Sequence, residues 1–273
     1  MRREKGMRSR KAIEKEIKIM EKQEASLRQA AGRTAAPQWK LALAEKVPTK
    51  VYDNLQKAFC KAFCLIFEKG TGVIERTYDK DSIAEDYEIR NFAFQLKADR
   101  KSLKKVRGDV GTANMRNMAL ASVEGIGLGV LGIGLPDIVI FVGVLLKGIY
   151  ETALHYGFDY QTQQEQYVIL KLMETAMQKG NEWELGNQEI DRIITGTSET
   201  KELPQRLERQ IKDTAEAFAV DMVLLKFIQG LPVVGIAGGA GNPLYYRKVI
   251  KYVEVKYRKR YLLKLQNKLL ESP

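Results

Sequence analysis

Residues 125–146 form a glycine-rich, apolar segment that reads GIGLGVLGIGLPDIVIFVGVLL. As one straight helix, these 22 residues would measure about 33 Å, enough to cross the hydrocarbon core of a bilayer. However, Pro136 and Asp137 fall at the midpoint, where proline interrupts the hydrogen-bond ladder and a carboxylate in lipid costs about 3 kcal/mol. We therefore predict two helices joined near Gly134, with Pro136 at the first position of the second and Asp137 in its first turn.

The glycines of this segment are spaced for close helix packing. Gly125 and Gly129 share one helix face, and the same spacing recurs at Gly235 and Gly239. Three interpretations remain open: a tight helix crossing inside a water-soluble bundle, which we favour, a hairpin that dips into the membrane, and a true membrane span. A dinucleotide-binding loop with the same glycine spacing is rejected, because helical rather than strand patterns surround it.

The rest of the chain also shows helical periodicity. Apolar residues recur at spacings of three and four in residues 10–30, 51–69, 163–179 and 199–229, whereas alternating strand patterns are missing. A charged helix is predicted from Asp81 to about Arg107, ended by Gly108 and Gly111. The predicted fold is all-α, a multi-helix bundle with a glycine-rich apolar central helical hairpin.

Charge divides the 273-residue chain, whose net charge is +11, into three parts. Residues 1–40 hold 12 basic and 5 acidic side chains and residues 242–273 hold 9 and 2, whereas residues 41–241 hold 24 and 27. Basic termini on a mildly acidic body favour a polyanionic partner, either an anionic membrane or a nucleic acid. We predict a basic amphipathic N-terminal helix and linker over residues 1–46 and a helical domain over residues 47–273.

Few side chains are suited to metal or redox chemistry. Two cysteines, Cys60 and Cys64, and one histidine, His155, cannot supply four zinc ligands, so we expect no metal and no other cofactor. The cysteines lie one helical turn apart beside phenylalanines, which favours small core residues over a redox pair. The basic start is followed by charged residues instead of an apolar segment, so we expect a cytoplasmic protein.

An enzymatic role is a weaker alternative. Within one helix, His155 would lie about 27 Å from Asp137, too far for a catalytic dyad. A hydrolase would therefore need the fold to bring Asp137, Asp159 and Asn242 together around His155. The chain shows no serine-nucleophile motif and no phosphate-binding loop of the Walker type.

Several short motifs, taken in order, resemble the EcsC family over residues 50–265. They are Gly132-x-x-x-Pro136-Asp137, Tyr156-Gly157-Phe158-Asp159, the segment 165–173, Pro232-x-x-Gly235 and Gly241-Asn242. The family is named after a bacterial protein encoded beside two components of an ABC transporter, and the resemblance transfers no catalytic residue. It implies a common core or shared site made of Pro136, Asp137, His155, Tyr156, Gly157, Asp159, Pro232, Gly235 and Asn242.

These features together predict a non-enzymatic accessory protein, peripheral on the inner membrane face or bound to an integral partner such as an ABC transporter. The C-terminal helix is the expected contact, since each cation near an anionic leaflet contributes about 1 kcal/mol, and its tyrosines suit the interface. Binding of nucleic acid by the same helix is the alternative. The cations assigned to an anionic surface are Arg247, Lys248, Lys251, Lys256, Arg258, Lys259, Arg260 and Lys264.

Overall fold

A computed structural model describes residues 2–32, 48–120, 136–196, 203–228 and 241–271. Within these ranges the protein is helical and contains no strand, so the all-α prediction is confirmed. A π-helical turn, Ile66–Gly70, joins the helices Thr49–Leu65 and Thr71–Glu75. The helices are α1 (Arg2–Gly32), α2 (Thr49–Leu65), α3 (Thr71–Glu75), α4 (Lys80–Lys97), α5 (Arg100–Leu120), α6 (Pro136–His155), α7 (Gln163–Met177), α8 (Gly180–Ile194), α9 (Leu203–Ile228) and α10 (Gly241–Glu271).

Helix α6 is the centre of the bundle. It begins at Pro136, as the two-helix interpretation predicted, and packs against α2, α4, α5 and α10. By length and composition its segment Ile138–His155 could cross a membrane, but 94% of that segment is buried inside the protein. The part of the apolar segment that follows Pro136 is therefore a core helix, and residues 121–135 lie outside the described ranges.

Aromatic side chains join α2, α6 and α9 near the start of α6. Phe59 of α2 lies 5.4 Å from Phe218 and 6.5 Å from Phe141, measured between ring centroids. The face of α2 that carries Phe59 and Phe63 is fully buried, as its periodicity predicted. Cys64 is nevertheless exposed, so the expectation of two core cysteines is wrong for this residue, which lies off the buried face.

The predicted single helix from Asp81 to Arg107 is wrong, because the chain turns sharply between α4 and α5. Ala98 adopts a left-handed conformation with φ 53°, and Asp99 caps α5 by accepting hydrogen bonds from the backbone and hydroxyl of Ser102. The two helices thus form an antiparallel hairpin in which Arg90 pairs with Asp109 at 3.1 Å. Gly108 and Gly111, predicted to end the helix, lie inside α5.

Helix α1 runs antiparallel to α10 and is held there by buried charges. Glu16, 1% exposed, accepts from Arg100 at 2.7 Å, from Arg107 at 3.4 Å and from Arg258 of α10. About two turns further along α1, Glu24 pairs with Lys256 and Lys259. The N-terminal helix is therefore an integral part of the helical body.

Replacement of Glu16 by glutamine should lower the free energy of unfolding by about 3 kcal/mol, because it leaves the buried Arg258 without its counter-charge. Glu14→Gln is the matched control, since its pairing with Arg10 is exposed and contributes less than about 0.5 kcal/mol. Urea unfolding followed by circular dichroism measures both. Equal stability of the two variants would show that the buried cluster does not hold α1 in place.

Candidate functional site

The basic helix α10 directs much of its charge into the protein. Lys256 is fully buried between Glu24 and Asp191, and Lys259 pairs with the same two carboxylates at 3.1 and 2.9 Å. Although burial opposes it, the two ammonium groups hold the pKa of Glu24 below its ordinary value. This pairing closes the seam between α1, α8 and α10.

Three further cations of α10 are also paired within the chain. Arg260 binds Glu165 of α7 at 2.5 and 2.9 Å, and Lys248 lies 3.3 Å from Asp221. Arg258 pairs with Glu16. Five of the cations assigned to an anionic surface are thus bound to carboxylates of the same chain, and the assignment is wrong for them in this structure. The assigned cations that stay exposed are Arg247, Lys251 and Lys264.

The tyrosines of α10 are core residues. Tyr246 donates to Asn114, Tyr252 to Asn187 and Tyr257 to Glu165, at 3.1, 2.9 and 2.6 Å. Tyr245 and Tyr261 are buried as well. The expectation that these rings meet a membrane interface or stack on bases is therefore wrong, because the helix turns its aromatic face inward.

His155 is a buried polar contact of the core. Its Nδ1 lies 3.4 Å from a guanidinium nitrogen of Arg90, which pairs with Asp86 at 2.5 Å and Asp109 at 3.1 Å. Burial, and then the charge of Arg90, lower the pKa of His155 to about 4. The imidazole is neutral at physiological pH and accepts a hydrogen bond from Arg90.

The carboxylates predicted to join His155 in a hydrolase site do not meet it. Asp159 is exposed and caps the turn after α6 by accepting from the backbone of Gln161 at 3.0 Å. Asp137 stands at the opposite end of α6, about 27 Å along the helix axis. That site is therefore not assembled, since α6 is one continuous helix between these residues.

Other positions of the predicted shared site fall partly outside the described structure. Pro232 and Gly235 lie outside the described residues. Pro136 and Asp137 open α6 and Asn242 lies in the first turn of α10, but their side chains are not among those described. Of the predicted set, the described side chains brought together are those at the C-terminal end of α6.

Gly157 is required by the backbone and by the space around it. Its φ of +75° lies in the left-handed region, and a Cβ atom there would come within 2.1 Å of the ring of Tyr87. Tyr87 in turn packs against Tyr261, at 6.3 Å between ring centroids. The absence of a side chain at this position therefore allows the turn after α6 to pack directly against Tyr87 of α4.

A surface that sequence reasoning missed lies at one end of the bundle. The N-terminus of α1 meets the C-terminus of α10 where Gly6 and Met7 face Leu269 and Leu270, and it meets α4 where Ser9 faces Phe94. We define the basic end as these helix termini together with residues 92–105, which contain Phe94, the end of α4 and the start of α5. Its exposed apolar side chains are Met7 at 61%, Phe92 at 61%, Leu96 at 56% and Leu270 at 68%. Its exposed cations are Lys5, Arg8, Lys11, Lys97, Lys101, Lys104 and Lys105.

The signal for this surface is present in the sequence of α4 but is ambiguous there. Tyr87, Asn91 and Phe94 form one helical stripe and Ile89, Phe92 and Leu96 another. The structure buries the first stripe and leaves the second exposed. Periodicity alone does not say which of two apolar stripes faces the core.

Comparison with known proteins identifies the family. A model of the EcsC protein family matches residues 11–262, nearly the whole chain, and the chain belongs to this family. The match begins inside α1, so the N-terminal helix shares in the resemblance, although the motifs had predicted a start near residue 50. No curated protein and no solved structure matches the chain.

His155 should make stability depend on pH. Because its folded-state pKa of about 4 lies below the usual 6.5, the unfolded chain binds more protons between these values. The free energy of unfolding should therefore fall by about 3 kcal/mol from this group as the pH falls through that window. In His155→Gln, which keeps an acceptor for Arg90, this part of the slope should vanish in urea titrations. An unchanged slope would show that the imidazole is not held neutral.

Substitutions at two glycines distinguish the stability cost of backbone strain from the stability cost of steric crowding. Gly196 has φ +74° and open space where a Cβ atom would stand, so Gly196→Ala should cost about 1 kcal/mol. Gly157→Ala should cost about 3 kcal/mol, since it adds a collision with Tyr87 to the same strain. Chemical unfolding of both variants measures the difference. Equal losses would contradict the close contact between α4 and the end of α6.

Proposed function

We propose that this member of the EcsC family is a non-enzymatic accessory protein that binds peripherally to the anionic inner face of the membrane through the basic end. The proposal rests on one observation, the exposure of large apolar side chains among exposed lysines at that end. Apolar residues that enter the headgroup region and cations that meet anionic lipid are the two elements of interfacial binding.

The apolar part of this surface includes Phe92 and Leu96, which continue a stripe on α4 that starts at Ile89, outside the basic end. Ile89, Phe92 and Leu96 follow helical spacing and are 65%, 61% and 56% exposed. Aromatic and branched side chains so exposed on a helix are costly to leave in water unless a partner covers them. Inserted into the boundary between headgroups and acyl chains, they contribute free energy in proportion to the apolar area covered.

The charged part surrounds the turn that follows this stripe. Residues 97–105 contain Lys97, Lys101, Lys104 and Lys105, all exposed, against the single carboxylate of Asp99. Residues 2–11 of α1 add further basic groups against Glu4 alone. Each lysine that reaches an anionic leaflet contributes about 1 kcal/mol, so a few of them suffice for reversible attachment.

An integral membrane protein is the second form of partner in this proposal. The family resemblance suggests a transporter-like protein, which the basic end would meet at the same membrane face. Protein-free liposomes distinguish the two, because they contain lipid alone.

Flotation with liposomes of phosphatidylglycerol and phosphatidylcholine tests the proposal. Wild-type protein should float with the anionic liposomes, less so at high salt, and should stay unbound with the neutral ones. The double variant Lys101→Glu/Lys105→Glu should partition at least about ten-fold more weakly, and Phe92→Ser/Leu96→Ser should do likewise.

The matched control is Lys57→Glu/Lys61→Glu, which reverses two exposed lysines at the same spacing on α2. It makes the same change of net charge away from the basic end, so its flotation should stay near that of the wild type. Equal losses in the two charge variants would contradict a localised surface. Salt-sensitive binding to DNA, tighter than to anionic liposomes, would identify a nucleic acid as the partner in place of the membrane.

A further inference from the structure

A cleft of about 320 Å³ lies between α1, α5 and α10, apart from the basic end. Its volume is at the lower limit of small-molecule sites in proteins. Polar and apolar groups alternate on its walls, with Leu27, Val110 and Val255 among the apolar ones. Its main polar residues are Gln23, Arg107, Tyr156, Lys251, Glu254 and Arg258.

Tyr156 brings an unused hydrogen-bond donor to this cleft. The side chain is 2% exposed and lines the cleft, and no residue that the structure describes forms a hydrogen bond with its hydroxyl. The hydroxyl is not among the fully buried atoms without a partner, so solvent in the cleft reaches it. Tyr246, Tyr252 and Tyr257, which are equally buried, each donate to a carbonyl or carboxylate oxygen. A hydroxyl that lines a cleft and has no partner in the protein is free to donate to an acceptor in the cleft, either water or a ligand.

The charges of the cleft are predominantly positive. Glu16 is shared by three guanidinium groups, those of Arg100, Arg107 and Arg258. Arg107 contacts Glu16 through one guanidinium nitrogen, at 3.4 Å, and its side chain lines the cleft, so Glu16 does not use all of its donors. Lys251 is exposed at the rim. Because three guanidinium groups share the single carboxylate of Glu16, they have more N–H donors than that carboxylate can accept.

Glu254 is the acidic group of the wall, and it is a poor host for negative charge. One of its oxygens accepts from Asn114 at 2.6 Å. Burial raises its pKa, while Asn114 and the charges of Lys251 and Arg258 act in the opposite direction.

We propose that this cleft binds a small organic phosphate, with Arg107, Lys251 and the hydroxyl of Tyr156 as donors to the phosphate oxygens. These donors come from α5, α10 and the end of α6, so they approach from several directions. That suits a tetrahedral phosphate, whereas a planar carboxylate is best met by one arginine fork. Leu27, Val110 and Val255 would contact the organic part of the ligand.

The ligand is expected to be soluble, not part of a docked lipid. Gln23, on the wall of the cleft, lies about 22 Å along α1 from Arg8 of the basic end. A lipid headgroup bound at the start of α1 would not reach Tyr156, whereas Lys104 and Lys105 of the basic end lie within one turn of Arg107 on α5. The two proposals are therefore distinguished by variants at positions remote from Arg107.

Calorimetric titration and thermal unfolding test it, with glycerol phosphate and inorganic phosphate as probes and sodium chloride at matched ionic strength as the control. Glycerol phosphate should bind and raise the unfolding temperature beyond the chloride control, because a ligand that binds only the folded state stabilises it. Inorganic phosphate should bind more weakly, since it lacks the organic part.

Tyr156→Phe and Arg107→Ala should each weaken the binding of glycerol phosphate about ten-fold. The controls are Tyr261→Phe, another buried tyrosine, and Arg100→Ala, which also removes a partner of Glu16 but lies outside the cleft. Both should bind as the wild type does. Glu254→Gln keeps an acceptor for Asn114 and removes negative charge, so it should bind several-fold more tightly.

Three results would overturn the proposal: no response to either probe beyond chloride, an unchanged affinity in Tyr156→Phe and Arg107→Ala, or equal losses in those variants and their controls. Flotation separates this failure from failure of the membrane proposal. Tyr156→Phe should float like the wild type, and Phe92→Ser/Leu96→Ser should bind glycerol phosphate like the wild type. Competition between anionic liposomes and glycerol phosphate would assign the cleft to a lipid headgroup instead.

Discussion

Neutralisation of buried cations along the seam between α1 and α10 holds the bundle together. Lys256 and Arg258 are taken out of water, which is costly unless each has a carboxylate partner. Glu16 and Glu24 of α1 supply those partners, together with Asp191 of α8. Because α10 also packs against α5, α6 and α7, the pairing ties the two ends of the chain to its centre.

This constraint explains why a helix apolar enough for a membrane serves as a core element. Helix α6 is surrounded by other helices, and one of them, α10, is stabilised in place by its pairing to α1 and α7. Gly148 allows Tyr246 of α10 to approach closely, since a side chain at that position would meet the tyrosine hydroxyl. The apolar composition of α6 therefore reflects its burial, and the groups that bury it are the surrounding helices.

Ion pairing within the chain also determines which positive charges of the protein remain accessible to a partner. The C-terminal helix holds many cations, but those facing α1, α7 and α8 are used inside the molecule. Exposed charge remains at the basic end, next to exposed apolar residues, and cationic donors remain in the cleft beside Tyr156. The two surfaces differ in chemistry. The basic end is an open surface of lysines and apolar side chains, whereas the cleft is lined by converging hydrogen-bond donors.

The helical class, the start of α6 at Pro136 and the family could be predicted from the sequence, because periodicity, proline geometry and ordered motifs are local properties. The break at Ala98 was also encoded locally, in the cap formed by Asp99 and Ser102, but the glycines at 108 and 111 were a misleading stop signal. The choice of which apolar stripe of α4 is buried, and of which lysines reach solvent, was made only by the packing of the helices. The physical reason is that the partners of these groups are remote in the chain: Glu16 and Arg258, for example, are 242 residues apart.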